Sequence, residues 1–460
     1  MNSIRYLGLL LAATLAVSVS AEAQEQINRP RMEASPRRKA SLREALQLAA
    51  RQGPDVAAAR AQAQVVAAGV NKAWTAWQPD ITATGTFDHT DAFSSIDLSP
   101  LGRVLHRLDP SVPADQFGTG PISILKQNNY FATFQLVQPL LTPQGLFAPG
   151  IAKAGAEAAE RGADEAREQV LLGVARAYLG LQGLEGLLEA ARDAEKVALS
   201  REKDARARIS AGTDVEIGLL RAQTETAQAR SQIAALQGQK ESLLPLLEAL
   251  TGEAIEPQGE SAAEDLGPAS SDSDPWEGAF SVKSAAAATV AAQRATRLDR
   301  FTWLPTVSGI AKENYNSNEG FSGKHWTYDL MINVSVPLYD RGTRYANMHE
   351  NDARLAQAQA QLAASRAKAR AAWIGAKANL AAARAVLEQT NSQAQLAARA
   401  QAQVDVAARA GVATSLDLSD ADQKKFAAQS AAAQARAELA VRRAEIAAAE
   451  GRLFALAAAQ

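Results

Sequence analysis

The 460-residue chain has no cysteine. That absence excludes disulfides, thiolate metal sites, a thiol nucleophile and a thioether lipid anchor. Histidine is nearly missing too. His89, His106, His325 and His349 are the only four, and none is spaced as a ligand pair with another. His349-Glu350 lacks the second histidine of a helical zinc-protease site. Neither charge sign dominates: 48 Lys+Arg stand against 50 Asp+Glu, a formal net charge of −2. Nucleic acid wants a basic face and finds none in this balance. Aromatics make up only 5% of the chain, which suits extended helices with thin interfaces better than one large core. Beyond the N-terminus no apolar run is long enough for a transmembrane helix. If this protein meets a membrane, it does so as strands.

Patterns that could suggest catalysis do not hold up. Gly180-x-x-Gly183-x-x-Gly186 lies inside a helical stretch, whereas a dinucleotide loop needs a strand before it. Close helix packing explains it better. Ser200-Arg-Glu-Lys203 falls on a charged helical stretch and reads as chance. No enzyme, cofactor or metal site is expected.

The N-terminus reads as a secretory signal peptide over residues 1–23. Arg5 gives the positive region, Leu7 to Val19 the apolar run and Ala21-Glu22-Ala23 the cleavage site. The alternative, an uncleaved anchor helix, has a short run for a span. Residues 24–40 read as a flexible tail, with the Arg37-Arg38-Lys39 triplet a solvated run.

What the chain does have is helix. Gly145 to Thr251 is rich in Ala, Leu, Glu, Arg and Gln, and breaks once at Ala211-Gly212-Thr213-Asp214. Gly212 can take the left-handed C′ conformation, and Thr213 or Asp214 can cap the next helix. The arm before the break would be a rod of roughly 100 Å. From Val215, core-type positions alternate in steps of four and three: Leu219, Ala222, Thr226, Ala229, Ile233, Leu236, Lys240, Leu243, Leu247 and Leu250. A period near 3.5 means helices coiling on one another. A hairpin this long bridges distance or lines a conduit.

The plan occurs twice. Trp77-Gln-Pro-Asp-Ile-Thr matches Trp303-Leu-Pro-Thr-Val-Ser, and Gln138-Pro139-Leu140 matches Val336-Pro337-Leu338. The hinge at Gly212 matches one at Gly411, and the arms from each proline to each hinge are nearly equal. The first repeat covers 41–251 and opens on short helices, Ser41 with Glu44 forming a capping box. A linker rich in Glu, Asp, Ser, Gly and Pro follows at 252–275. The second repeat covers 276–460, its last helix running from Ser415 to about Ala458.

Within each repeat the period switches to two. Ile81, Ala83, Gly85 and Phe87 alternate with Thr82, Thr84, Thr86 and Asp88, giving a strand at about 80–89. Its partner lies at about 130–138. The second pair falls at about 306–315 and 326–336, where Trp326, Tyr328, Leu330, Ile332 and Val334 share one face. A soluble sandwich with one wet face would fit this alternation. Four strands are too few to bury each other's apolar faces, and a lipid-facing barrel of several chains satisfies faces and edges together. Between the first two strands, 91–129 reads as an exposed loop. Its segment from Leu98 to Leu108 could form a small amphipathic helix, and a plug or lid is a further reading.

The order of these parts resembles the outer-membrane efflux protein family, the TolC-like exit ducts. The resemblance rests on Ser41-Leu-Arg-Glu-Ala-Leu, Pro54-Asp55, Trp303-Leu-Pro-Thr-Val-Ser, Val334-Ser-Val-Pro-Leu-Tyr-Asp-Arg-Gly and Ala410-Gly-Val-Ala-Thr-Ser-Leu-Asp-Leu-Ser-Asp-Ala. It implies an α+β fold, mostly a long α-helical coiled-coil barrel with a transmembrane β-barrel. The homotrimer would pool four strands per protomer into a twelve-stranded outer-membrane barrel, with the helical tunnel in the periplasm. Function would be passive export with an inner-membrane transporter and a periplasmic adaptor, which docks around Gly212 and Gly411. By position, Asp417 and Asp420 correspond to the family's constriction rings. Read from the residues alone, they also fit a helix's first turn, favoured by the macrodipole. The family's Tyr and Arg around the second hinge are replaced by Ala408 and Ala413, and the Arg partner by Gly218. A closed state less dependent on ion pairs is therefore expected. The competing reading is a periplasmic coiled-coil adaptor or scaffold without its own pore.

Overall fold

The computed structural model describes residues 37–460 except 92–93, 117, 119, 121, 126, 213–214, 260–265, 267–273, 318–323 and 459–460. The expected signal peptide, most of the tail and the candidate caps Thr213 and Asp214 lie outside the described residues. In chain order the elements are β1 (Arg38–Ala40), α1 (Leu42–Gln52), α2 (Pro54–Trp74), β2 (Asp80–His89), β3 (Ser94–Ile96), α3 (Ser99–Leu108), β4 (Ile122–Leu125) and β5 (Asn128–Leu141). Then come α4 (Pro143–Ser210), α5 (Glu216–Thr251), β6 (Ile255–Pro257), α6 (Phe280–Arg300), β7 (Thr306–Asn316), β8 (Trp326–Ser335), α7 (Thr343–Arg409), α8 (Ser415–Ala449) and α9 (Leu453–Ala458).

Two helices set the dimensions. α4 has 68 residues and α7 has 67, so each is a rod of about 100 Å. α4 packs against α2 and α6 over one half and against α5 and α8 over the other, while α7 packs against α6 and α8. The result is a single layer of helices. Its first strip is α2 then α5, its second α4, its third α6 then α8, and its last α7. The seam that holds α5 to α4 follows the 3.5-residue period. Ala222, Thr226 and Leu247 are buried, and Leu219, Ala229, Ile233, Leu236, Lys240, Leu243 and Leu250 are half-buried. Val215 departs from it. It is 67% exposed and is itself the N-cap of α5, without a side-chain hydrogen bond. The two polar seam residues have partners on α4. Thr226 Oγ1 donates to Glu202 Oε2 (3.2 Å), and Lys240 Nζ pairs with Glu185 (3.1 Å). Gly183 explains part of the triple-glycine pattern. A Cβ there would lie 2.4 Å from Ala437 Cβ on α8, so glycine lets α4 and α8 approach.

One node joins the chain's distant parts. Leu42 and Leu46 of α1, Leu171 and Tyr178 of α4, Leu244 and Leu247 of α5, Ala444 of α8 and Leu453 of α9 form one buried cluster. Tyr178 is fully buried, and its hydroxyl donates to Ala40 O (2.8 Å) while accepting from Gln258 N (3.1 Å).

Several expectations are corrected here. Residues 38–40, expected in a flexible tail, form β1 and pair in parallel with β6 inside the expected linker. Arg38 contacts Glu253 (3.4 Å) and Arg37 contacts Glu241 (3.5 Å), so the triplet is not simply solvated. Within the 91–129 loop, the small helix that is one of its readings is present at Ser99–Leu108. The final helix does not run unbroken to Ala458. Gly451 (φ +67°) ends α8, with Arg452 N–H donating to Ala447 O (2.8 Å) and Gly451 N–H to Ala448 O (2.9 Å), before α9 begins.

Candidate functional site

The first candidate region is the sheet. Its order is β2-β5-β7-β8, antiparallel throughout, so β5–β7 pairing joins the two repeats and leaves β2 and β8 as edges. The register places Ile81 beside Leu136, Ala83 beside Phe134 and Phe87 beside Tyr130. Leu330 then lies beside Ala311 and Ile332 beside Gly309. This face is bare: Tyr328 is 79% and Ile332 75% exposed. The opposite face carries Thr82, Thr84, Thr133, Gln135, Asn314, Asp329 and Asn333, knitted by Thr133 to Asn314 (3.1 Å) and Asn314 to Asp329 (3.1 Å). Water would solvate only the second face.

Aromatic rings mark both ends of the sheet. At the far end, Phe87 meets Tyr130 (5.1 Å) and Tyr315 meets Trp326 (5.0 Å). His89 bonds Asn128 and His325 bonds the Asn316 carbonyl there, so both histidines sit at that rim. At the helix end stand Trp77 and Trp303. Aromatic belts at two levels are the pattern of strands crossing a bilayer. Among the described residues no helix is long and apolar enough to cross a membrane.

Trp77 solves a local problem. Pro149 lies inside α4, where it cannot donate to the carbonyl four residues back. That carbonyl belongs to Gly145, and the Trp77 indole N–H donates to it (2.7 Å). Gly145 has no side chain because a Cβ would lie 2.7 Å from the Trp77 ring. Trp303, its counterpart in the second repeat, instead stacks under the Arg344 guanidinium (4.2 Å). Trp77→Phe should therefore lower stability by about 1–3 kcal/mol through the orphaned carbonyl, and Trp303→Phe by less. Thermal unfolding of the two variants in detergent measures the difference.

The second candidate region is the far end of the helices. Gly411 has φ +77°, and its turn is closed by Val412 N–H donating to Ala407 O (2.9 Å) and Gly411 N–H to Ala408 O (3.1 Å). Gly212 has φ +72°. A Cβ at either glycine would meet nothing, so what demands glycine is backbone conformation and not space. Asp417 caps its own helix. Thr414 N–H donates to its carboxylate (2.8 Å), the Thr414 hydroxyl also donates to it (2.7 Å), and Asp417 N–H donates back to that hydroxyl (3.2 Å). The Thr414 hydrogen bonds hold the Asp417 carboxyl below its usual range. Asp420 pairs with Lys424 (2.7 Å) and is exposed.

Ion pairs do join the helices near this end. Arg201 of α4 bonds Asp405 of α7 (2.7 Å) and Asp422 of α8 (2.9 Å), all about one-fifth exposed or less. Gln401 donates to the other Asp422 oxygen (2.9 Å), and Arg409 also holds Asp405 (2.7 Å). Nearby, the Ser419 hydroxyl donates to Glu225 of α5. These contacts tie one hairpin to the other. Sequence reasoning missed them. The available signal was that Arg201 and Asp422 stand equally far from their glycine turns with opposite charges. Above this clasp, a groove of about 240 Å³ runs between α4, α5 and α8, lined by Val197, Ala198, Ala229 and Phe426.

A strand layer with one apolar bare face, set on paired helical hairpins about 100 Å long, defines an outer-membrane channel with a helical shaft. The sequence profile described as outer membrane efflux protein matches residues 45–253 and 276–452, and the chain belongs to that family. No curated protein sequence matches it. Among solved structures, it is similar to the outer membrane protein VceC of Vibrio cholerae, with 17% identity, TM-score 0.68 and coverage of 89% of this chain and 96% of that one. The CmeC outer membrane channel of Campylobacter jejuni has 15% identity and TM-score 0.71 over 92% of this chain and 90% of its own. The MtrE outer membrane channel of Neisseria gonorrhoeae, in its open state, has 16% identity and TM-score 0.68 over 89% of each chain.

Proposed function

We propose that this chain is the protomer of a homotrimeric exit duct for efflux or secretion. The observation that carries the reading is the four-stranded sheet with a bare apolar face and two unpaired edges. Pairing β8 of one copy with β2 of the next removes both edges, and three copies close a twelve-stranded barrel. The helix layer has matching open sides, α7 on one and α2 with α5 on the other. Three layers close into a tunnel projecting into the periplasm. The duct does no chemistry. An inner-membrane transporter supplies the work and a periplasmic adaptor bridges the two, seated on the turns at Gly212 and Gly411. The constriction lies at Asp417 and Asp420, where threefold crowding of carboxylates would favour cations in the mouth. The Arg201 clasp holds the hairpins together in the closed state.

The test is cell fractionation followed by purification in detergent, mass determination and planar-bilayer recording. An outer-membrane trimer that conducts ions supports the duct. A soluble periplasmic monomer overturns it in favour of a scaffold. For the tip, Gly411→Leu places a side chain in the left-handed region at a cost of about 1–2 kcal/mol. Export should fall while trimer and membrane insertion persist. Normal export by this variant would remove the turn from the docking site.

A further inference from the structure

The helix α3 has no role in the duct as described. It lies in the connection that joins the far ends of β2 and β5. Its sequence, SPLGRVLHRL, separates two faces. Leu101, Val104 and Leu108 occupy one, with Leu105 beside them, and Leu108 is 78% exposed. Arg103, His106 and Arg107 occupy the other. Ser99 and Gly102 are the buried side of the helix. An apolar stripe this bare in a soluble loop would be a liability.

The basic face is exposed. Among the described residues neither Arg103 nor Arg107 forms a salt bridge, and Arg103 acts on Asp97 through its charge. The nearby Asp97 carboxylate is occupied, because it accepts from Ser99 N–H (2.9 Å). His106 Nδ1–H donates to Val112 O (2.7 Å), and Asp109 accepts from Ser111, which together fix the chain leaving the helix. The strands that this loop connects carry an apolar surface of their own. Phe87 and Tyr130 stand at the end of the strands from which this loop departs, and they head the sheet's bare face.

We infer that α3 is an interfacial anchor lying on the outer leaflet of the outer membrane. Leu101, Val104 and Leu108 enter the acyl boundary, and Arg103 and Arg107 pair with lipid phosphates. A short amphipathic helix with arginine on its polar face binds in the interface plane through buried apolar area and attraction to anionic headgroups. Two arginines near such a surface contribute additively. The helix would then fix the level at which the rim sits in the leaflet. This inference rests on the barrel reading above.

The absence of native cysteine makes the test direct. Single substitutions Leu108→Cys on α3 and Ile332→Cys on the sheet each carry an environment-sensitive fluorophore. Both full-length proteins are reconstituted into phosphatidylcholine vesicles with and without lipid A, whose phosphates are the probe. Ile332→Cys reports the barrel. If its label is not quenched by a lipid-resident quencher, the barrel reading fails, whatever α3 does. With that label quenched, the Leu108→Cys label should be quenched from the lipid side in lipid A vesicles. Adding Arg103→Gln and Arg107→Gln should move its buried-to-exposed ratio about thirtyfold toward water. Arg103→Lys with Arg107→Lys should restore burial, which excludes simple unfolding of α3. A Leu108→Cys label open to aqueous quencher in both vesicle types overturns the proposal. So does disulfide crosslinking of Leu108→Cys between copies, which would place the stripe on a second protomer.

Discussion

Arg201→Ala is expected to raise the conductance of the reconstituted channel and to leave trimer and membrane insertion unchanged. Arg201 is the one described side chain seen to bond α7 and α8 together from α4, through Asp405 and Asp422. The bonds are charge-assisted and sheltered, though not fully buried, so their joint loss weakens the hairpin contact by about 2 kcal/mol. A shift of that size changes the ratio of closed to open forms about thirtyfold. Asp405→Asn should do less, because Asp422 keeps the guanidinium. The clasp is not a pH sensor near neutrality. Bonding to Arg201 holds the Asp405 carboxyl below its usual range, so its contribution is present above that range and is lost only as pH falls through the lowered value. Planar-bilayer recordings of the two variants decide the matter. Unchanged conductance in Arg201→Ala would remove the clasp from gating.

Glu168 is expected to make the protein more stable in mild acid than in mild base. It is 6% exposed, deep in α4, and its carboxylate accepts from Leu453 N–H (3.1 Å) and Phe454 N–H (2.9 Å) at the start of α9. Burial pushes its pKa up to about 7 despite those two donors and the nearby Arg167 and Lys283. The folded value lies above the unfolded one. The stabilising contribution is therefore full below the ordinary glutamate range of 4.5 and is lost as pH rises through about 7. The difference between the two limits is about 3 kcal/mol. Glu168→Gln should flatten the dependence and raise stability at pH above 7 relative to the parent. Thermal midpoints of both proteins in detergent from mild acid to mild base provide the measurement. A parent whose midpoint does not fall as pH rises would refute it.

Much of this structure could be read from local sequence, and the reasons are physical. The 3.5-residue period marks the α5 seam because burial on a partner helix selects apolar positions whatever the partner is. It cannot name the partner, so Glu202 and Glu185 opposite Thr226 and Lys240 came only with the fold. Alternation along β2 and β8 sorts faces, but it does not say which strands adjoin. The β5–β7 pairing that fuses the repeats was thus invisible. The pair β1 and β6 is too short to show any period. Thr414-x-x-Asp417 is a local capping pattern, which the structure shows as hydrogen bonds within one turn. Arg201, Asp405 and Asp422 come from three helices, and no window of sequence holds them together. Pro149 breaks the usual rule for helix interiors, and the tryptophan that repairs it lies on a different element.

The buried node has a consequence for how the chain folds. Ala40 and Leu42, Tyr178, and Leu453 and Phe454 are far apart in the sequence and meet at one place. The node cannot close until α1, α4, α5 and α9 have come together. Until then the apolar faces of α1 and α4 have no permanent cover, and exposed surface of that kind is prone to aggregate. Without α9, Glu168 would lose the amide donors of Leu453 and Phe454 and stand buried without them.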